Sequence, residues 1–147
     1  MERIASVAGG TAAIHLAIMH EPFFKYVIEG RKTVESRFST HRIAPYGYVE
    51  RGDLVLLKKI GGAVSAITIV DRVVQFRLDE RSWATIYEQY ASDICATAEF
   101  FQEKRSASYA TLMRLTGVSM MDPVSVLKRD RQGWAVLIDR HAQLALL

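Results

Sequence analysis

The apolar residues of this 147-residue chain fall into short runs, and that brevity limits what it can build. Residues 14–19 are apolar except for His15, too few for a helix but enough for a buried strand. A second run, 54–57, is opened by the turn pair Gly52-Asp53, and a longer one, 64–76, follows Gly61-Gly62. Residues 134–139 read as a closing strand. Residues 33–38 alternate, with Thr33, Glu35 and Arg37 on one face and Val34, Ser36 and Phe38 on the other. Helical signals are few. His20-Glu21-Pro22 starts a helix that carries Phe24, Val27 and Ile28 on one face and stops at Gly30. Asp79 is placed to N-cap a helix striped by Trp83, Ile86, Tyr87, Tyr90 and Ile94, and 97–105 reads as a further helix or its continuation. Residues 111–126 are mixed, with a turn expected near Asp122-Pro123. This order predicts an α+β domain: a small β-barrel of five to six mostly antiparallel strands with two to three flanking helices.

Half of the residues are hydrophobic, enough for one core, so 14–147 is expected to be a single domain. Residues 1–13, with Ala5, Ala8, Gly9 and Gly10, read as a flexible leader rather than a signal peptide. No apolar run reaches the roughly 18 residues of a membrane span. The lone cysteine, Cys95, cannot form an internal disulfide, and a reducing cytoplasmic setting is expected. His15, His20, His41 and His141 lack ligand spacing, and no phosphate-cradling loop precedes a helix, so neither metal nor cofactor is expected.

Net charge is +3, but its distribution says more. Residues 31–60 hold seven Lys or Arg against three acids, and 104–131 hold six against two, with a more acidic stretch between. If the two basic segments meet, they make a face for a polyanion; the alternative is scattered solvated charge.

The segment Gly30-Arg31-Lys32-Thr33-Val34-Glu35-Ser36-Arg37 has the pattern Gly-x-Lys-x-x-Glu-x-Arg, with a strand and helix before it and Gly52-Asp53 after it. In that frame it resembles the signature of ASCH domains. The resemblance covers roughly residues 14–76 and the closing strand around Trp134. It implies a PUA-like barrel, and related folds bind RNA or modified bases. A nucleic-acid partner, RNA before DNA, is therefore expected, with no membrane. Monomer and dimer both remain open, since an exposed barrel edge would permit pairing.

The residues suit that role. Arg37 can fork onto a phosphate or base edge, Lys32 can reach a phosphate, and Glu35 can accept from a base amino group. The alternative is an ion pair on a strand edge, worth about 0–1 kcal/mol. Ser39 follows at the mouth of the same pocket. Tyr46, among Arg42, Tyr48 and Arg51, can stack on a base, unless it only pins its loop. Lys58, Lys128 and Arg129 are candidate phosphate contacts, or solvated turn charges.

The same superfamily includes ribonucleases and amidohydrolases of acylated cytidine. The amidohydrolase resemblance uses the signature lysine with a threonine three residues later. Here that position is Glu35, which argues against it. A metal-independent hydrolase of RNA or modified nucleosides remains the alternative function, with Lys32, Tyr26 and Ser106 as its candidate catalytic groups. A protein-interaction module with an incidental positive face is a third reading.

Overall fold

A computed structural model describes residues 12–126 and 132–140. The short apolar runs become strands β1 (Ile14–Met19), β2 (Val34–Ser39), β3 (Leu54–Lys59), β4 (Val64–Arg77), β5 (Tyr109–Val124) and β6 (Trp134–Ile138). They form one curled sheet, a half-barrel in the order β2-β5-β4-β3-β1-β6. Every neighbouring pair is antiparallel except β1 with β3. The expected PUA-like fold is present, with an open seam between β2 and the β1–β6 edge.

Among the described residues four helices flank it: α1 (Phe23–Ile28), α2 (Glu80–Gln89), α3 (Ala91–Ile94) and α4 (Ala98–Lys104). The expected two to three become four because the Trp83–Ile94 stripe is not one helix. Asp79 caps α2 in a reciprocal box with Ser82, Tyr90 leaves helical geometry, and Cys95 ends α3 with φ 62°. Trp83, Ile86 and Ile94 are buried all the same, as their spacing predicts.

Two apolar clusters result. One lies within the curl, where Phe24 and Val27 of α1 meet Leu57, Val70 and Met113. The other lies between the β2–β5 pair and the helices, where Val34 and Leu112 meet Trp83, Ile86 and Phe101. Each fully buried Leu or Ile contributes about 1.5–3 kcal/mol. The alternation in β2 feeds both clusters: Glu35 lies across from Met113 and Ser36 across from Leu112.

The turn expected near Asp122-Pro123 is absent. Strand β5 continues to Val124, paired with β4 through three register shifts. Beyond Arg114 strand β2 has ended, so this half of β5 is paired on one side. Its side chains lose the burial that makes a strand legible.

Ala12 and Ala13, expected in the leader, are buried and belong to the packed unit. Residues 1–11 lie outside the described residues. The Ala13 N–H donates to Asp53 Oδ1 at 3.0 Å. Asp53 is a fully buried node of the Gly-Asp turn. It also accepts from the Glu50 N–H, from both terminal nitrogens of Arg140 and from His15 Nε2 at 2.8 Å. His15 Nδ1 accepts the indole N–H of Trp134 at 3.1 Å, which fixes the tautomer: an indole nitrogen can only donate, so Nε2 carries the proton. Burial would raise the Asp53 pKa, but the bonds from His15, Arg140 and the backbone outweigh it and hold the pKa at about 2. Among the described residues no helix is long and apolar enough to cross a membrane.

Candidate functional site

Gly30 takes φ +78°, and the N–H groups of Arg31 and Lys32 both donate to the Tyr26 carbonyl. This tight exit from α1 turns the chain back, and the Lys32 side chain is buried. Its Nζ donates to the Ile94 carbonyl at 2.8 Å and lies 3.5 Å from Glu35 Oε1 and 5.2 Å from the Phe23 ring centre. Burial pulls the Lys32 pKa below the ordinary lysine value, against the opposing charge of Glu35.

Glu35 is buried too. Its Oε1 accepts the Ser36 N–H at 2.8 Å and its Oε2 accepts from Arg37 Nη2 at 3.2 Å. Burial alone would raise its pKa; the charges of Lys32 and Arg37 and the Ser36 N–H outweigh that, and the carboxyl sits below its usual range. The three residues are thus not a surface ion pair. Lys32 and Glu35 side chains are 2% and 8% exposed. A buried charged row of this kind is poor stabilisation compared with packed apolar residues.

Arg37 has a second task. Its Nη2 donates to the Ile18 carbonyl at 2.9 Å and its Nη1 to the Gly133 carbonyl at 3.0 Å. The side chain therefore spans the seam that backbone pairing leaves open.

Between β2 and the end of β1 lies a cavity of about 470 Å³. Lys32, Glu35 and Ser36 form its buried lining, with Arg37 beside them. Phe23, Phe38 and Phe100 give it an aromatic wall, with Phe100 centred 5.5 Å from Phe23 and 6.0 Å from Phe38. Glu103 and Lys104 of α4 complete it, so Lys104 of the second basic segment does join Lys32 and Arg37. The Ser36 hydroxyl is buried and finds no hydrogen-bond partner among the described residues.

The other sequence candidates are placed apart. Ser39 and Tyr46 line a smaller neighbouring cavity, which also includes Arg37. Ser39 Oγ donates to the His41 carbonyl, and the Tyr46 ring packs on Tyr109. Tyr26 lines neither of these cavities; the Arg31 guanidinium lies 4.1 Å over its ring. Ser106 is exposed in the turn after α4, and Lys58, on β3, also lies outside both linings. Lys128 and Arg129 lie outside the described residues. Nowhere among the described residues do His, Cys, Asp and Glu gather in threes that could hold a metal.

Sequence reasoning missed Ser36 and the aromatic wall. Alternation assigned Ser36 and Phe38 to the face opposite Glu35 and Arg37. The cavity lies at the free edge of β2, where residues of both faces reach it.

The curled six-stranded sheet with outer helices is a PUA-like fold. The chain belongs to the ASCH domain family, whose model matches residues 18–110. Its fold is similar to that of ASCH from Zymomonas mobilis, with TM-score 0.68 and 16% identity, covering 92% of this chain and 95% of that one. A variant of the ZmASCH protein with a serine replaced by alanine gives TM-score 0.69 and 15% identity, covering 92% and 96%. No curated protein sequence matches the chain.

Proposed function

We propose that the protein binds RNA at unpaired nucleotides and takes one base, plain or modified, into the cavity at the β2 seam. The observation that carries this reading is the unpaired Ser36 hydroxyl, buried in a cavity with an aromatic wall. A buried hydroxyl without a partner costs about 1–3 kcal/mol, a cost that a ligand's hydrogen bond relieves. Phe23, Phe38 and Phe100 offer a face to a base, and Glu35 offers acceptor capacity to an exocyclic amino group. Lys104 at the exposed margin suits a backbone phosphate.

The test is a titration of short single-stranded RNA, in EDTA and at low salt, against wild type, Ser36→Ala and Phe100→Ala. Phe100→Ala should weaken binding by about 1–3 kcal/mol. Affinity should also fall as salt rises. Equal binding by all three proteins would remove the cavity from the reading.

One observation favours hydrolysis as a second reading. The Lys32 amine is buried in the cavity beside Glu35 with its pKa pulled down, as general acid–base groups often are. That reading predicts cleavage of RNA, or of a modified nucleoside, that survives EDTA and disappears in Lys32→Ala. Cleavage unchanged in that variant would point to a contaminant.

A further inference from the structure

Arg37 and Phe38 line two cavities, not one. The second, of about 120 Å³, lies further along β2, where Ser39, Tyr46, Thr111 and Trp134 join them. Thr111 stands directly across from Arg37 in the β2–β5 ladder, so the two side chains share a face of the sheet. Thr111 is 1% exposed, and its hydroxyl has no hydrogen-bond partner among the described residues. Such a group is costly to keep unless something comes to meet it.

The chemistry of this cavity differs from that of the first. Glu35 and Glu103 line the first, whereas no carboxylate lines the second among the described residues. Arg37 gives Nη1 to Gly133 and Nη2 to Ile18, Glu35 and the Met19 sulfur, and the same residue lines the second cavity. At the same end, Tyr46 packs on Tyr109 and the Arg42 guanidinium lies 5.4 Å over that second ring. A lining guanidinium, a buried hydroxyl without a partner among the described residues and the absence of a lining carboxylate suit an anion. The small volume suits a compact one rather than a second base.

We propose that the second cavity takes the phosphate flanking the base held in the first, so that the ligand is a nucleotide of a strand and not a free nucleoside. This rests on the base-binding reading above. Arg37, shared by both cavities, sets the distance between base and phosphate.

Calorimetric titration of the full chain with the four ribonucleosides and their 5′- and 3′-monophosphates tests it. For wild type, one series of monophosphates should bind at least tenfold more tightly than its nucleoside. In Thr111→Val that advantage should shrink to threefold or less, with nucleoside affinity unchanged. Thr111→Ala, which removes the same hydroxyl with a smaller side chain, provides a second variant should Thr111→Val fail to fold. Nucleosides binding as tightly as both monophosphates would overturn the proposal and leave the base-binding reading standing. A phosphate advantage untouched in both variants would overturn its placement in this cavity. No binding of nucleoside, monophosphate or short RNA would overturn both readings together.

Discussion

The guanidinium of Arg37 donates to the carbonyl of Gly133 across the seam, and an added Cβ at Gly133 would lie 2.8 Å from that same Nη1. The glycine thus leaves room for the guanidinium where it now lies. The Ile18 N–H also donates to the Gly133 carbonyl, so this one oxygen joins β1, β2 and the entry to β6.

Gly133→Ala should push the guanidinium aside and cost about 2 kcal/mol, in the range of a charge-assisted hydrogen bond. Arg37→Lys should cost a similar amount, because an ammonium cannot fork onto two carbonyls. The double variant should lose little more than either single one, since both changes remove the same clasp. Urea unfolding of the four proteins gives the answer; additive losses would show that Gly133 acts independently of Arg37.

Lys32 and Glu35 should behave as a coupled pair. Glu35→Leu leaves Lys32 buried without its counter-charge and should cost about 3–5 kcal/mol. Lys32→Met leaves Glu35 with Arg37 and the Ser36 N–H, so its cost should be lower. The double variant should be more stable than Glu35→Leu alone. A double variant less stable than both singles would mean that packing, not charge, decides at these positions.

Acid should loosen the domain through Asp53. Its folded pKa, about 2, lies below the ordinary value of 3.8, so it contributes stability above that ordinary value and loses it as pH falls toward 2. A depression of that size corresponds to about 2.5 kcal/mol. Glu35, also depressed, acts in the same direction. Urea midpoints for wild type and Asp53→Asn should converge as pH drops from about 5 to about 2. A constant gap would show that Asp53 stabilises the fold through shape and not through its charge.

Much of the fold was legible because period and punctuation agree. Strand β1 is apolar but for His15, Gly30 stops α1 at a positive φ, and Asp79 caps α2 as its position suggests. The arm of β5 beyond Arg114 was not legible, since half-paired residues need no apolar alternation. For the cavity, Lys32, Glu35 and Arg37 stood out through the resemblance of their segment to the ASCH signature, and Lys104 only as one charge of a basic segment. Ser36, Thr111 and the rings of Phe23 and Phe100 gave no local signal. Their importance comes from an open sheet edge, which depends on which strands pair and not on any one strand's sequence.

Asp53 accepts from the Ala13 N–H and from Arg140, residues near opposite limits of the described unit. Residues 13 and 140 therefore stand side by side at one carboxylate. Asp53 is thus a rivet through both margins of the described unit, and its loss would free the start of β1 and the residues after β6 together.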